Sequence, residues 1–164
     1  MSTRSMFSFL DPSDGPIPTI FNVYMHMDGY PSGAILALQA ALPHAWPLPR
    51  FEADEFGAAF VAGNKSGGGN VRLMPSGDWK AIAPGDIEYR YDVTNVAGKL
   101  MVRGFGVSSG PWDAADMTWT ETELFYTPLA KLVKMSQPAL KLWQDRLYAK
   151  AERAAKASTT AIAA

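Results

Sequence analysis

Residues 5–10 and 19–27, near the start of the chain, are predicted to be two strands, and apolar and polar residues alternate along the second. A period of two indicates a β-strand with one face against a core. In the second stretch the apolar residues share one face and most polar residues share the other: Phe21, Val23, Met25 and Met27 against Asn22, Tyr24, His26 and Asp28. Residues 11–16 are rich in Asp, Pro, Ser and Gly, which favour turns. The pattern therefore predicts an N-terminal hairpin with a half-buried second strand.

The spacing of apolar residues changes after residue 30 and indicates two helices. Residues 33–42 are rich in Ala and Leu, Pro31 fits the first helical turn, and a proline follows the last residue. Residues 51–63 place two phenylalanines on one face of a second helix. Residues 44–49, between the helices, contain two prolines that prevent regular helix. This segment is predicted to be a stiff connector that buries Trp46.

The second half of the chain returns to the strand pattern. A short strand at residues 71–74 follows a glycine-rich loop at residues 66–70. Three longer strands come next, of which the first two form a hairpin: residues 87–94, 99–107 and 117–126. On the first of these, Glu88, Arg90 and Asp92 share one face. Three charged residues on one face predict a face that is open to solvent.

Residues 139–158 carry the clearest helical pattern of the chain. An apolar stripe recurs at every third or fourth position, namely Leu140, Trp143, Leu147, Ala151 and Ala154. Lys and Arg line much of the remaining surface, which leaves a contact between copies of the chain open as an alternative to core packing. Beyond Leu147 the stripe thins to alanine, so the last turns are expected to project and residues 159–164 to fray. A shorter helix is predicted at residues 129–137.

These elements together define the fold class. They predict an α+β protein: an antiparallel sheet of five or six strands, with two inserted helices and a C-terminal amphipathic helix. A chain of 164 residues with 48% apolar residues is long enough to bury one core. Because neither an internal repeat nor a linker is visible, we expect a single domain over residues 1–158 and a tail over residues 159–164.

Composition and charge disfavour several classes of function. A net charge of −1, without a long basic run, argues against a nucleic-acid partner. The absence of cysteine excludes disulfides, thiolate chemistry and cysteine-based zinc sites. No metal site and no cofactor are expected, because the chain has only two histidines and lacks a phosphate loop and a dinucleotide fingerprint. A metal site that combines a histidine with carboxylates stays open as an alternative. No apolar stretch is long enough to span a membrane, so we expect no membrane association and a cytoplasmic location, in the host cell if a phage encodes the protein.

The distinctive motif of the chain follows the second strand. Tyr24 precedes Asp28-Gly29-Tyr30-Pro31-Ser32-Gly33, and Thr3-Arg4 stands near the start. Over about residues 1–45 the chain resembles a family of small proteins from phages and bacterial genomes, which begin with Thr-Arg and carry the pattern Tyr-x-x-x-Asp-Gly-Tyr-Pro. Met27 replaces the aromatic residue usual in that family, and His26 stands where glutamine is common, which weighs against an essential imidazole. The resemblance implies a phage or a mobile element as the source and carries no activity with it.

The same turn supplies the candidate site. His26 and Asp28 would lie about 7 Å apart on one strand face, so a general base oriented by a carboxylate is one hypothesis. The backbone N–H groups at the start of the first helix suit an anion. The candidate ligand-binding residues surround that point: Tyr24, Gly29, Tyr30, Ser32 and Gly33. In the structural alternative, which we favour, Asp28 caps the turn or the helix, Gly29 takes a positive φ, and His26 is an ordinary surface residue.

Three functions stay open at this point. The leading hypothesis is a non-catalytic accessory protein of a phage or mobile element that binds a host or phage protein. The second is a small enzyme, or a nucleotide- or anion-binding module, that uses the Asp-Gly-Tyr-Pro turn. The third is a structural component of the virion. The sequence leaves undecided whether the protein is an enzyme.

Overall fold

The structure is a computed structural model that describes residues 2–11, 19–65, 70–83, 85–110 and 118–162. It contains six strands, five α-helices and a short 3₁₀ helix. In chain order these are β1 (Ser5–Leu10), β2 (Thr19–Met25), α1 (Pro31–Ala41), the 3₁₀ helix (Leu42–His44), α2 (Ala53–Asn64), β3 (Val71–Met74), α3 (Trp79–Ile82), β4 (Tyr89–Val96), β5 (Lys99–Ser109), β6 (Trp119–Pro128), α4 (Leu129–Leu132) and α5 (Gln137–Ile162).

The six strands form one sheet in the order β3-β2-β1-β4-β5-β6. Neighbouring strands run antiparallel except β1 and β4, which are parallel. The predicted α+β class, the inserted helices and the C-terminal helix are therefore confirmed, and the sheet is mixed rather than wholly antiparallel. A parallel pair needs a long crossover connection, and here α1, α2 and β3 lie between β1 and β4 in the chain.

Helices cover the first face of the sheet and bury most of the core. The ring of Phe7 on β1 lies 4.5 Å from that of Phe60 on α2 and 5.0 Å from that of Tyr91 on β4. Phe9 and Leu38 are fully buried in the same cluster. The alternation on β1 and the apolar faces of α1 and α2 thus meet in a single layer of aromatic and aliphatic side chains, as the sequence pattern requires.

The second face of the sheet is covered as well, by the short helix α3. The hydroxyl of Ser8 donates to the Asn22 side-chain oxygen at 2.8 Å, and the Asn22 amide donates to the carbonyls of Pro75 at 3.0 Å and Gly77 at 3.2 Å. These bonds tie the segment before α3 to β2, and Trp79 packs beside them. The prediction that β2 is half-buried is wrong, because its polar face is also removed from solvent.

The predicted solvent face is wrong for Arg90 and Asp92 of β4 for a related reason, although Glu88, just before the strand, is exposed as predicted. The Arg90 guanidinium lies 5.3 Å from the ring of Trp79 and 4.1 Å from that of Phe105. It forms ion pairs with Asp92 and Glu121, which supply the opposite charge that a buried cation needs. Burial raises the pKa of Asp92, while the Arg90 guanidinium opposes that rise. The charged residues on this strand therefore stabilise the packing of α3 instead of facing water.

The structure corrects several predicted boundaries. β2 ends at Met25 instead of residue 27, and β4 and β6 each begin two residues later than predicted. The predicted helix 129–137 is confined to α4. Trp46, predicted to be buried, is 37% exposed. Residues 12–16 of the predicted turn, residues 66–69 of the predicted loop, residue 117 and the last two residues lie outside the described part of the chain.

The helix α5 packs against the core only through its first turns. Leu140 is fully buried, and the ring of Trp143 meets that of Phe125 edge-on at 4.9 Å. Beyond Ala151 the described side chains are exposed, so the projecting end expected from the sequence is confirmed, although the helix continues to Ile162. No helix in the described ranges is both long enough and apolar enough to cross a membrane.

Candidate functional site

The predicted candidate site is the turn between β2 and α1. Asp28, not Gly29, has the positive φ, at 58°. Gly29 is required for a different reason, since a Cβ there would lie 2.8 Å from the Cβ of Ser5 and 2.9 Å from the carbonyl carbon of Arg4. The predicted positive φ at Gly29 is therefore wrong, and this glycine serves the close approach of two backbone segments.

Hydrogen bonds from within the chain occupy the polar groups of Gly29 and Ser32 in this turn. The N–H of Gly29 donates to the carbonyl of Thr3 at 2.9 Å, and the Gly29 carbonyl accepts from the Tyr91 hydroxyl at 2.8 Å. Both the N–H and the hydroxyl of Ser32 donate to the side-chain oxygen of Gln144, each at 2.9 Å. The Gln144 side chain thus accepts hydrogen bonds from donors at the start of α1 that were predicted to bind an anion.

Asp28, Tyr30 and Gly33 line a cleft of about 270 Å³ beside α1, and Tyr30 and Ser32 border a second cleft of about 540 Å³ against α5. Burial raises the pKa of Tyr30, and the neighbouring Asp28 carboxylate raises it further, also by accepting its hydrogen bond. The N-cap of α1 is Tyr30, which makes no side-chain cap. Asp28 therefore acts on the Tyr30 phenol, and no side chain caps the start of α1.

His26 lies in another cleft, of about 310 Å³, with Tyr24, Asn70 and Arg72. Its Nδ1 is 3.3 Å from the Tyr24 hydroxyl, and the Arg72 guanidinium lies 4.4 Å from the Tyr24 ring. Burial is the main cause that raises the pKa of Tyr24, and the Asp86 carboxylate adds to it. The partner of the His26 imidazole is thus a phenol that stays protonated near neutral pH.

The structure does not bring His26 and Asp28 into one cleft. The two side chains line separate clefts that share Asn70, whose side chain bonds both the N–H and the carbonyl of Met27. A general base needs its orienting carboxylate within hydrogen-bond reach. Of the two hypotheses for this turn, the geometry therefore favours the structural one.

A different region leaves apolar surface uncovered. A groove of about 420 Å³ lies where the connector after α1 meets the β4–β5 turn and α4. We call it the connector groove, and its lining is Leu42, Leu48, Gly98, Lys99, Leu100, Pro128, Leu129, Ala130, Lys131 and Val133. Leu100 and Leu129 are buried and form its floor, whereas Leu42 and Leu48 are exposed along its side. Both the buried floor and the exposed side of the groove are therefore apolar.

The connector that forms one side of the groove is held in place by polar contacts. The Asn95 amide donates to the carbonyl of Pro49 at 3.0 Å, and the N–H of Trp46 donates to the Glu55 carboxylate at 2.9 Å. The Arg50 guanidinium stacks 3.3 Å from the centre of the Trp46 ring. These contacts hold the tryptophan at the surface. They also fix the connector in a position that leaves Leu48 exposed to solvent.

Reasoning from the sequence missed the connector groove. It is assembled from residues 42–48, 98–100 and 128–133, which no local pattern connects. The one available signal was the apolar character of Leu42 and Leu48 in a proline-rich segment that cannot fold back as helix. In the described part of the chain, no group of three or more His, Cys, Asp or Glu side chains is placed to hold a metal ion.

Comparisons with known proteins identified no relative of this chain. A scan against family models, a search of curated proteins and a search of solved structures each found no match.

Proposed function

We propose that the protein is a non-catalytic accessory protein that binds another protein through the connector groove. The occupant is a segment of the partner that presents apolar side chains flanked by Asp or Glu. The observation that carries the proposal is an apolar groove whose side, Leu42 and Leu48, faces solvent. The family resemblance at the N-terminus supports a phage or mobile element as the source, and hence a phage or host protein as the partner.

The size and the composition of the groove fit a docking site. Cavities that bind ligands measure roughly 300–1,000 Å³ and are mostly apolar. Leu48 is 46% exposed, as is Val96, which precedes the turn that borders the groove. Large contiguous apolar patches on a protein surface commonly mark interaction sites. A partner that covers Leu42, Leu48 and Val96 would remove this surface from water, a gain of about 25 cal/mol per Å² buried.

Charge at the rim selects the kind of partner. Lys99 and Lys131 line the groove, both are exposed, and neither makes a salt bridge within the described ranges. Two ammonium groups beside an apolar floor attract carboxylates and repel a basic segment, which speeds association and sets specificity. The partner segment is thus acidic as well as apolar.

A second candidate, a structural component that assembles through α5, is favoured by one observation. Leu142 is 60% exposed on that helix, away from the buried Leu140 and the partly buried Trp143. A self-association of this kind predicts a multimer at micromolar concentration that Leu142→Asp converts to a monomer. Light scattering after size-exclusion chromatography measures it, and a monomeric wild type contradicts it.

The experiment for the first proposal is a selection from a displayed library of random peptides on the immobilised protein. We expect enriched peptides that combine Leu, Ile or Phe with Asp or Glu. The selected peptides should lose binding to Leu48→Asp, which places a carboxylate beside the groove floor.

Leu73→Asp is the matched control. Leu73 is 58% exposed on the edge strand β3, outside the groove, so the same substitution there should leave peptide binding unchanged. The proposal fails if no peptide is enriched, if the enriched peptides are basic, or if Leu48→Asp binds them as well as the wild type does.

A further inference from the structure

Another cleft, distinct from the connector groove and from the clefts around the turn, lies between the far end of the sheet and α5. It measures about 400 Å³, and its lining residues are Glu88, Tyr89, Gly106, Val107, Ser108, Thr120, Thr122, Leu124 and Tyr148. Five of these residues carry hydroxyl groups, and none is Lys or Arg. We name it the hydroxyl cleft. Neither the predicted site nor the proposed function uses any of these residues.

Two tyrosines from different elements meet in the hydroxyl cleft. The hydroxyls of Tyr89 on β4 and Tyr148 on α5 lie 2.8 Å apart, and their ring centres are 6.5 Å apart. Burial is the main cause that raises the pKa of Tyr148, and its hydrogen bond with Tyr89 adds to it. One phenol donates to the other, so the proton of the second phenol is left for a further acceptor.

The alternation of β6 brings two more hydroxyls to the same side. Thr120 and Thr122 line the cleft, whereas Glu121 between them points to the opposite face, where it pairs with Arg90. Ser108 pairs with Thr120 across the two strands and adds another hydroxyl. A row of exposed donors and acceptors therefore runs along the strands beside the tyrosine rings.

The space for a ligand exists because β5 has glycine at its centre. A Cβ on Gly106 would meet only the Leu124 methyl groups, at 4.0 Å, and the backbone there does not have a positive φ. The cleft floor is thus open, and any L-residue fits the backbone conformation. By contrast, a Cβ on Gly104, one position nearer the core on that face, would lie 2.3 Å from the Phe125 ring.

We propose that the hydroxyl cleft binds a neutral saccharide. Hydroxyl groups pair with sugar hydroxyls, because each can both donate and accept. The Glu88 carboxylate at the border accepts hydrogen bonds from a polyol and repels an anionic ligand. Aromatic rings provide apolar surface for the C–H faces of a sugar. A phosphorylated ligand would meet no cation among the lining residues.

Saturation-transfer NMR with cellobiose, maltose, mannobiose and N,N′-diacetylchitobiose as probes tests this proposal. We expect at least one of these disaccharides to receive saturation from the wild-type protein. Gly106→Val fills the floor, and Thr122→Val removes one hydroxyl with little change of shape. Thr122→Val should weaken binding of that disaccharide by about tenfold, the effect of one lost hydrogen bond to a ligand. Gly106→Val should weaken it at least as much, because the valine side chain takes the space of the sugar.

As a control, the same Tyr→Phe substitution is made inside and outside the cleft. Tyr148→Phe removes a hydroxyl from the cleft, whereas Tyr126→Phe removes one from β6 at a place where the ring contacts Arg103 outside the cleft. Only Tyr148→Phe should weaken binding. The proposal is overturned if none of the four disaccharides binds at millimolar concentration, if binding survives Gly106→Val and Thr122→Val, or if adenosine monophosphate binds at the cleft more tightly than every disaccharide.

Discussion

The turn between β2 and α1 differs from the connector groove in what its surface leaves without a partner. The turn has the most distinctive sequence of the chain, yet its polar groups bond to Thr3, Tyr91 and Gln144 of the same molecule. The connector has an ordinary, proline-rich sequence, yet it leaves Leu42 and Leu48 exposed beside a buried apolar floor. Polar groups that are satisfied from within favour a structural role, whereas apolar groups without cover favour a partner.

Substitutions in the turn should therefore lower the stability of the fold, and substitutions in the groove should lower binding alone. The following variants test the first half of that statement, from the largest expected effect to the smallest.

Gly33→Ala should have the largest effect. A Cβ on Gly33 would lie 2.1 Å from the carbonyl oxygen of Asp28, a backbone atom that cannot move without rebuilding the turn. We expect a loss of about 3 kcal/mol in the free energy of unfolding, the upper end of the usual overpacking range. Urea unfolding measures it, with Gly106→Ala, where the space is open, as the control. A Gly33→Ala protein of wild-type stability would show that the turn is looser than described.

Tyr91→Phe should cost about 2 kcal/mol. The Tyr91 hydroxyl is fully buried and donates to the Gly29 carbonyl at 2.8 Å, so its removal leaves a buried acceptor without a partner. The urea midpoint should fall, while the slope of the transition stays the same. A change below about 0.5 kcal/mol, the range of ordinary surface substitutions, would show that this bond does not hold the turn.

Asp28→Ala should cost about 1 kcal/mol, because alanine pays the steric penalty of the left-handed region at φ 58°. The companion variant Asp28→Gly separates backbone from side chain, since glycine adopts this conformation freely but also lacks the carboxylate. We expect Asp28→Gly to be at least as stable as wild type in thermal unfolding. An equal loss in both variants would instead assign the effect to the lost Asp28 carboxylate.

His26→Ala should have the smallest effect, within about 0.5 kcal/mol of wild type, because the imidazole is exposed and its hydrogen bond to Tyr24 is long, at 3.3 Å. Peptide binding at the groove should also be unchanged. If His26→Ala abolished binding or an activity while the circular dichroism spectrum stayed intact, the turn would be the functional site and the comparison between the two regions would be reversed.

The strands and long helices could be predicted from the sequence because each has its own period. β1, α1 and the start of α5 carry patterns that depend only on neighbours in the chain. The burial of Arg90 could not be predicted in this way, since it depends on Trp79 of α3, a helix of four residues that is too short to show a period. The sequence indicated strand alternation on β4 but not what covers it.

For the candidate site, too, the sequence predicted the position but not the contacts. The turn could be located from Asp28 and Gly29, but the partners of its polar groups come from positions far along the chain, such as Gln144. The connector groove needs three distant segments to meet, so no single window of sequence contains it. Contacts of this kind are set by tertiary packing, and local propensity does not encode them.

The most direct test of the central claim is a methyl NMR titration with an acidic, apolar peptide from the display selection. The account predicts shifts for the methyl groups of Leu42, Leu48 and Leu129 in the groove, and unchanged signals for Met25 and Leu36 beside the turn. Shifts confined to Met25 and Leu36, with the groove signals unmoved, would contradict it and would place binding at the turn.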